Sequence, residues 1–511
     1  MTTLAGCTST TRPDNGIRGG LPAVPVFVPP PVPAALPAVP VSSPAPKPRE
    51  EPAGPLTLDR VLNSVDAHFP LLLAMQQERV IADGQALTAE GQFDTTLRSR
   101  GFQQAGTFPN TRFDVGVEQP TAVNGINLFS GYRLGMGDFP VYYGDRQTAD
   151  GGELRAGVTV PLLRDAAVDR RRATARQAAV TRSLAEPQVQ RARIDYFLAA
   201  ARSYWTWVAA AEQAVVAGDL LRLATARQEG LKEQFQRGAQ QEFVVFDNER
   251  EVRAREGAVA AAERAYQAAA LDLSQYLRDA DGDPQVPPPE AAPTFRAERT
   301  DDVPDAAQLP ALVETAGGRR PELLRLALQK ERLAVDIKLA ENQTLPGLNL
   351  TLAGAQDVGN GKRTTGSSAL DRSNLEAGVQ FEVPLQRRDP QGRLLAARGQ
   401  MAQLVFQEEF ARNRIQIEIQ DALSNLDRTR VRIEKATQER DLAEKVADLE
   451  RTRFQKGQSD ILQLNLREVA AATARLRVVE SVAEYRRARA ALRAALGLDG
   501  RPEPEAGSRR P

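Results

Sequence analysis

Apolar and polar residues alternate with a period of two in four short stretches of this chain. Phe93 and Leu97 face one way while Asp94, Arg98 and Arg100 face the other. Leu154, Ala156, Val158, Val160 and Leu162 alternate with Arg155, Gly157 and Thr159, and Leu348, Leu350 and Leu352 alternate with Asn349 and Thr351. The cleanest run sets Leu375, Ala377, Val379, Phe381 and Val383 against Glu376, Gly378, Gln380 and Glu382. Period two puts each set on one face of a strand. The pattern predicts strands at about 92–102, 153–162, 346–354 and 374–385.

Long runs rich in Ala, Arg, Glu, Leu and Gln separate these strands. They predict helices at about 165–236, 242–277, 391–455 and 460–496, with Pro187 as a kink. The longest would reach roughly 100 Å at about 1.5 Å per residue. Ile415, Ile419, Leu423, Leu426 and Ile433 form a narrow coiled-coil stripe, and Leu462, Leu466, Val469, Leu476 and Ala483 are expected to form another on the returning helix. No ordinary globular domain holds helices of this length. Their stripes must pack on other long helices, within the chain and across copies of it.

The body repeats itself. Ala89-Glu90-Gly91-Gln92 is answered by Ala340-Glu341-Asn342-Gln343. Leu154–Val158 leading to Val160-Pro161-Leu162 is answered by Leu375–Val379 leading to Val383-Pro384-Leu385, and Phe235-Gln236-Arg237-Gly238 by Phe454-Gln455-Lys456-Gly457. Three pairs in the same order indicate duplication. Repeat 1 is assigned to 56–277, a linker containing Pro287-Pro288-Pro289 to 278–308, and repeat 2 to 309–497. Residues 1–20 hold Leu4-Ala5-Gly6-Cys7, which resembles the lipobox of bacterial lipoproteins and makes Cys7 the candidate lipid anchor. Only six residues precede it, so either a full export signal begins upstream or the motif is accidental. Residues 21–55 hold 13 of the 34 prolines and read as a semi-rigid tether, and 498–511 as a disordered tail.

Composition narrows the function. The 511 residues carry 66 basic and 66 acidic side chains, which argues against a nucleic-acid binder. One histidine (His68) and one cysteine (Cys7) exclude a disulfide framework, a Cys/His zinc site and any triad not built on His68. His68 reads as a solvated residue at a helix end. No enzymatic role and no cofactor are expected. No run is long and apolar enough for a membrane helix, but barrel strands need only about ten alternating residues. Four strands cannot close a barrel, and an open sheet in lipid would strand its edge N–H and C=O groups. Two chains would give eight strands around a filled interior; three would give twelve around water. The expectation is therefore a mainly α chain with a membrane β-barrel, four strands per protomer completing twelve in a trimer. Asp94, Arg98, Arg100, Glu376, Gln380 and Glu382 would line the lumen, and Leu97, Val158, Val160, Leu348, Leu350, Val379 and Phe381 would face lipid.

The duplicated helix–strand–strand–helix plan resembles the TolC-like outer-membrane efflux channel family. So do Arg320-Pro321-Glu322-Leu323, Leu345-Pro346-Gly347-Leu348-Asn349-Leu350, the Val-Pro-Leu strand exits and the Phe-Gln-x-Gly hairpins. The resemblance covers Leu56 to Gly497. It implies a homotrimer with a 12-stranded barrel in the outer membrane of a Gram-negative bacterium, with a helical tunnel in the periplasm. The implied partners are a periplasmic adaptor and, through it, an inner-membrane RND, ABC or MFS transporter, in efflux or type I secretion. It also implies a closing end at the two helical turns, where Gly238, Glu242, Asp247, Gly457, Ser459 and Asp460 are the gate and adaptor-contact candidates. The family's aspartates six and nine residues after the second glycine are replaced here by Gln463 and Leu466.

Other features carry less. The insertion 103–152 contains Phe113–Val117 and the aromatic-rich Gly131–Tyr143, read as extended hairpin strands at the extracellular mouth. Asp279, Asp281, Asp283 and Glu290 have EF-hand spacing, but Pro284 occupies the glycine position, which leaves an acidic linker. Tyr204, Trp205 and Trp207 are expected to pack near the helix–barrel junction or an interface, and Arg170–Arg172 to decorate a helix start. The alternative function is a lipid-anchored periplasmic adaptor or coiled-coil scaffold, which would carry one hairpin flanked by compact β-domains.

Overall fold

The computed structural model describes residues 54–140, 147–293, 304, 306–360 and 373–499. Contacts divide the chain into Met1–Ser43 and Pro44–Pro511, and the first unit lies wholly outside the described residues, as do Cys7 and nearly all of the tether and tail. The expected architecture is present: long helices and an antiparallel sheet.

Helices α1 (Leu58–His68) and α2 (Pro70–Glu90) lead into strand β1 (Thr96–Gln104). Then come β2 (Asn110–Pro120), β3 (Asn127–Gly137) and β4 (Glu153–Pro161). Helices α3 (Arg170–Gln236) and α4 (Glu242–Ser274) complete the first half. The second half runs α5 (Leu309–Arg319), α6 (Pro321–Asn342), β5 (Gly347–Asp357), β6 (Ser373–Glu382), α7 (Arg388–Gln455) and α8 (Ile461–Ala495). In both halves a proline at the first helical position starts the second short helix, where its missing N–H is no loss. Asp94 falls between a single 3-10 turn and β1, outside the strand in which it was expected.

Each long helix is matched by two shorter ones placed end to end. The lower part of α3 packs on α4 and its upper part on α1 and α2, where Arg79 meets Glu186 at 2.7 Å and Arg182 meets Asp83 at 2.6 Å. Likewise α8 and α6 follow one another along α7, with Lys330 on Glu408 and Arg398 on Glu341. α3 also packs on α6 and α8, so the helices form one layer ordered α2/α4, α3, α6/α8, α7.

Each splice between short helices is backed by a core. The first gathers Leu62, Val65, Phe69, Phe197, Tyr204, Trp207 and Leu273. Trp207 stands well inside α3, about 55 Å from its start at about 1.5 Å per residue, so the aromatic cluster marks the splice and not the junction with the sheet. Aromatic rings fill the gap left where two helix ends meet. The second core gathers Ile415, Ile419, Leu423, Leu426, Val482 and Tyr485. Arg320 closes it: one guanidinium nitrogen donates to the carbonyls of Ala494 and Ala495 at 3.1 and 3.3 Å, the other to Glu418 at 2.6 Å. Burial pushes this guanidinium down from its ordinary value, against the pull of Glu418.

The stripe expected on the returning helix is displaced in its first half, while Ala483 is buried as expected. Leu462, Leu466 and Val469 are exposed, and the buried face of α8 is Ile461, Leu464, Glu468, Val478, Val482 and Tyr485. A charged residue inside that row disguised it.

The sheet has six strands among the described residues, in the order β1-β2-β3-β4-β5-β6, all antiparallel. The expectation of four strands per protomer is corrected, and with it the argument that two chains leave no lumen, since two such sheets already hold twelve strands. The extra pair comes from the insertion, which lies in the ladder between β1 and β4. Deleting the buried side chain in Leu426→Ala is expected to cost about 2–5 kcal/mol, read as a lowered denaturant midpoint.

Candidate functional site

Two regions carry the candidate residues: the sheet, and the turns at the other end of the long helices. Register fixes the faces of the sheet. Val117 lies opposite Leu97, Leu134 opposite Phe113, and Tyr132 opposite both Val115 and Leu154. Val158 pairs with Leu352, Val160 with Leu350, Leu350 with Val379 and Leu348 with Phe381. These residues share one face, which carries no charged side chain in any strand. Arg98, Arg100, Asp114, Arg133, Glu153, Arg155, Glu376 and Glu382 share the opposite face, with Gln380. There Arg98 meets Glu118 at 3.1 Å, Arg133 meets Glu153 at 2.7 Å and Arg164 meets Glu382 at 3.3 Å. Beyond the strand exit, Asp169 caps α3 through Arg172 N–H at 2.9 Å, and the Arg172 side chain donates to the carbonyls of Asp165 and Ala166. That arginine ties the start of α3 to the exit loop and is not mere decoration.

The two turns are built alike. Gly238 has φ +70° and Gly457 φ +71°, the left-handed conformation that glycine adopts without strain. Behind each, N–H groups reach back to the helix: Ala239 to the Gln234 carbonyl at 2.8 Å, and Gln458 to that of Arg453 at 2.9 Å. Asp460 caps α8, accepting from the N–H of Gln463 at 2.8 Å. Ser459 donates to Glu450, which also holds Arg453 at 3.2 Å. Glu242 occupies the first turn of α4, where the helix dipole favours a carboxylate, and Asp247 pairs with Arg250 at 3.3 Å. Leu231, Val245 and Ile461 pack together between the two turns.

Just above lies a cluster that the sequence reading missed. Glu468 is 3% exposed and receives Arg227 from α3, Arg255 from α4 at 3.5 Å and Arg451 from α7 at 3.7 Å. Arg227 also donates to Asn465, and buried Asn248 donates to Gln228 at 2.7 Å and to the Ala224 carbonyl at 3.1 Å. One carboxylate thus ties both helical hairpins together. Its signal was present: Ile461, Leu464 and Glu468 step by three and four, which places a charge on a buried seam.

Of the remaining candidates, Asp279 accepts from the N–H groups of Asp281 and Asp283 at 3.0 and 2.9 Å and so shapes a turn. No His, Cys, Asp or Glu cluster among the described residues is suited to a metal ion, and no described helix is long and apolar enough to cross a membrane.

Residues 312–498 match the family model described as outer membrane efflux protein. The resemblance to that family holds. The match supports an outer-membrane efflux channel, with an outer-membrane location and no enzymatic role. No curated protein matches the chain. Solved channels share its fold at low identity. CusC, described with transmembrane channel formation, is 15% identical with a TM-score of 0.63, over 89% of this chain and 97% of its own. The Campylobacter jejuni outer membrane channel CmeC is 13% identical with a TM-score of 0.60, over 86% of this chain and 85% of its own. The open state of the Neisseria gonorrhoeae outer membrane channel MtrE is 14% identical with a TM-score of 0.61, over 86% and 89%.

Glu468→Ala would leave the buried Arg227 guanidinium without a carboxylate, while Arg255 keeps only Glu251. It is expected to lower stability by about 3–5 kcal/mol and to open the turn end first, seen as early proteolytic cleavage near residues 238 and 457.

Proposed function

We propose that this chain forms the outer-membrane exit duct of a tripartite efflux or type I secretion system. Three copies close the sheet into a membrane barrel, and their helices continue it as a periplasmic tunnel. One observation carries the reading: a sheet with a charge-free face and two open edges sits on a helical layer whose own edges are unfinished. On one side, α7 exposes Leu395, Phe406, Phe410, Ile417, Leu442 and Leu449; on the other, α2 and α4 expose Leu71, Ile81, Leu87, Phe243, Phe246 and Leu271. Each edge is unlike the other, so copies join head to tail into a ring. The number three rests on the family resemblance.

In the ring the charge-free face meets lipid and the charged face meets water. Transport energy comes from the inner-membrane transporter, reached through a periplasmic adaptor at the turn end. The rival adaptor or scaffold reading is disfavoured, because the chain carries two matched hairpins and a single sheet continuous with its helices, not one hairpin between compact β-domains. Fractionation tests the choice: heat-modifiable trimers extracted by detergent from the outer membrane are expected, and a soluble periplasmic monomer would refute the duct.

Near the narrow end, Asp460, Glu242 and Asp247 each form a three-fold ring in the trimer, able to hold a gate or favour cations. Asp460 also caps α8, so two variants separate its roles. Asp460→Asn keeps a capping oxygen and removes the charge, whereas Asp460→Ala removes both, at about 1 kcal/mol for the cap. Increased single-channel conductance in both variants assigns the gate to charge; an increase in Asp460→Ala alone assigns it to helix capping. Cys7 is the proposed acylation site: Cys7→Ser is expected to abolish fatty-acid labelling while trimers still assemble.

A further inference from the structure

We infer that the inserted hairpin β2–β3 is part of the membrane wall, so that the trimer closes an eighteen-stranded barrel. This rests on the duct reading above. The hairpin is not an appendage at the sheet's edge. It separates β1 from β4, pairing with β1 from Thr96↔Glu118 to Gln104↔Asn110 and with β4 from Asn127↔Thr159 to Arg133↔Glu153. β1 has no other partner among the described residues, so a wall without the hairpin would require β1 to pair anew with β4. Both inserted strands have eleven residues, the length of a tilted membrane strand.

Chemistry agrees with the register. Phe113, Val115 and Val117 on β2, and Leu128, Tyr132 and Leu134 on β3, extend the charge-free face without interruption from β1 to β4. On the opposite face the hairpin is bound to both neighbours, Glu118 to Arg98 of β1 and Arg133 to Glu153 of β4. A hairpin in water outside the bilayer would have no use for a charge-free face aligned with that of its neighbours.

The open edges suit a second copy of this chain. β6 runs opposite to β1, so their union is antiparallel and restores the edge hydrogen bonds. On the water-facing side, β1 offers Arg98 and Arg100 while β6 offers Glu376 and Glu382, so basic side chains meet acidic ones across the seam.

Single-cysteine variants in a Cys7→Ser background test the placement in outer-membrane vesicles. Val115→Cys and Leu134→Cys are expected to resist a water-soluble maleimide as fully as Val379→Cys, while Ala105→Cys, in the loop between β1 and β2, reacts. A map of the full-length trimer in lipid nanodiscs is expected to show eighteen strands in the bilayer. Twelve strands, or labelling of Val115→Cys and Leu134→Cys with Val379→Cys still protected, would overturn the eighteen-stranded wall and leave the duct standing. Labelling of Val379→Cys as well would overturn both.

Discussion

A backbone N–H or C=O group in hydrocarbon has no water to turn to. That constraint governs this molecule, because a sheet with two open edges cannot remain open in a bilayer. The outer strands β1 and β6 must find partners, and none remains among the described residues. The layer of helices obeys a milder form of the same demand, since the apolar side chains exposed along α7 and along α2 and α4 have nothing of their own to cover them. In the proposed ring the same head-to-tail repetition would meet both needs, since strands and helices finish on matching sides of the protomer.

Much of the fold was legible because its signals are long or repeated. Alternation over Leu375–Val383 gave a face at a glance, and the glycines at 238 and 457 stood at equivalent places in two copies of one plan. The buried stripe from Ile415 to Ile433 followed from spacing alone. Length and duplication make such features robust to any single unusual residue.

What escaped the sequence was the work of single residues and of pairing. In the insertion, Phe129 in the charged row and Ser130 in the charge-free row blurred the alternation of β3, leaving fragments; only the register shows that they complete a face. Glycine suits that register: a Cβ at Gly131 would lie 2.7 Å from the Val115 carbonyl oxygen. On α8, Glu468 sits among apolar neighbours and pulled attention to the wrong stripe, since a charge is seldom buried without partners. Those partners lie on three other helices, and no spacing within one helix announces them. At the turns, Asp460 was recognised as acidic, but its service as a helix cap depends on the N–H of Gln463, which only geometry reveals.

The splices between short helices have a mechanical consequence. Where α4 ends and α1 begins, and where α8 ends and α5 begins, each pair is reduced to one continuous member, α3 or α7. A beam jointed in this way is weakest in bending at its joint. The aromatic and aliphatic packing gathered there acts as a splint, so any sway of the lower half relative to the sheet above pivots about midway along the rod, far from both the strands and the helical turns.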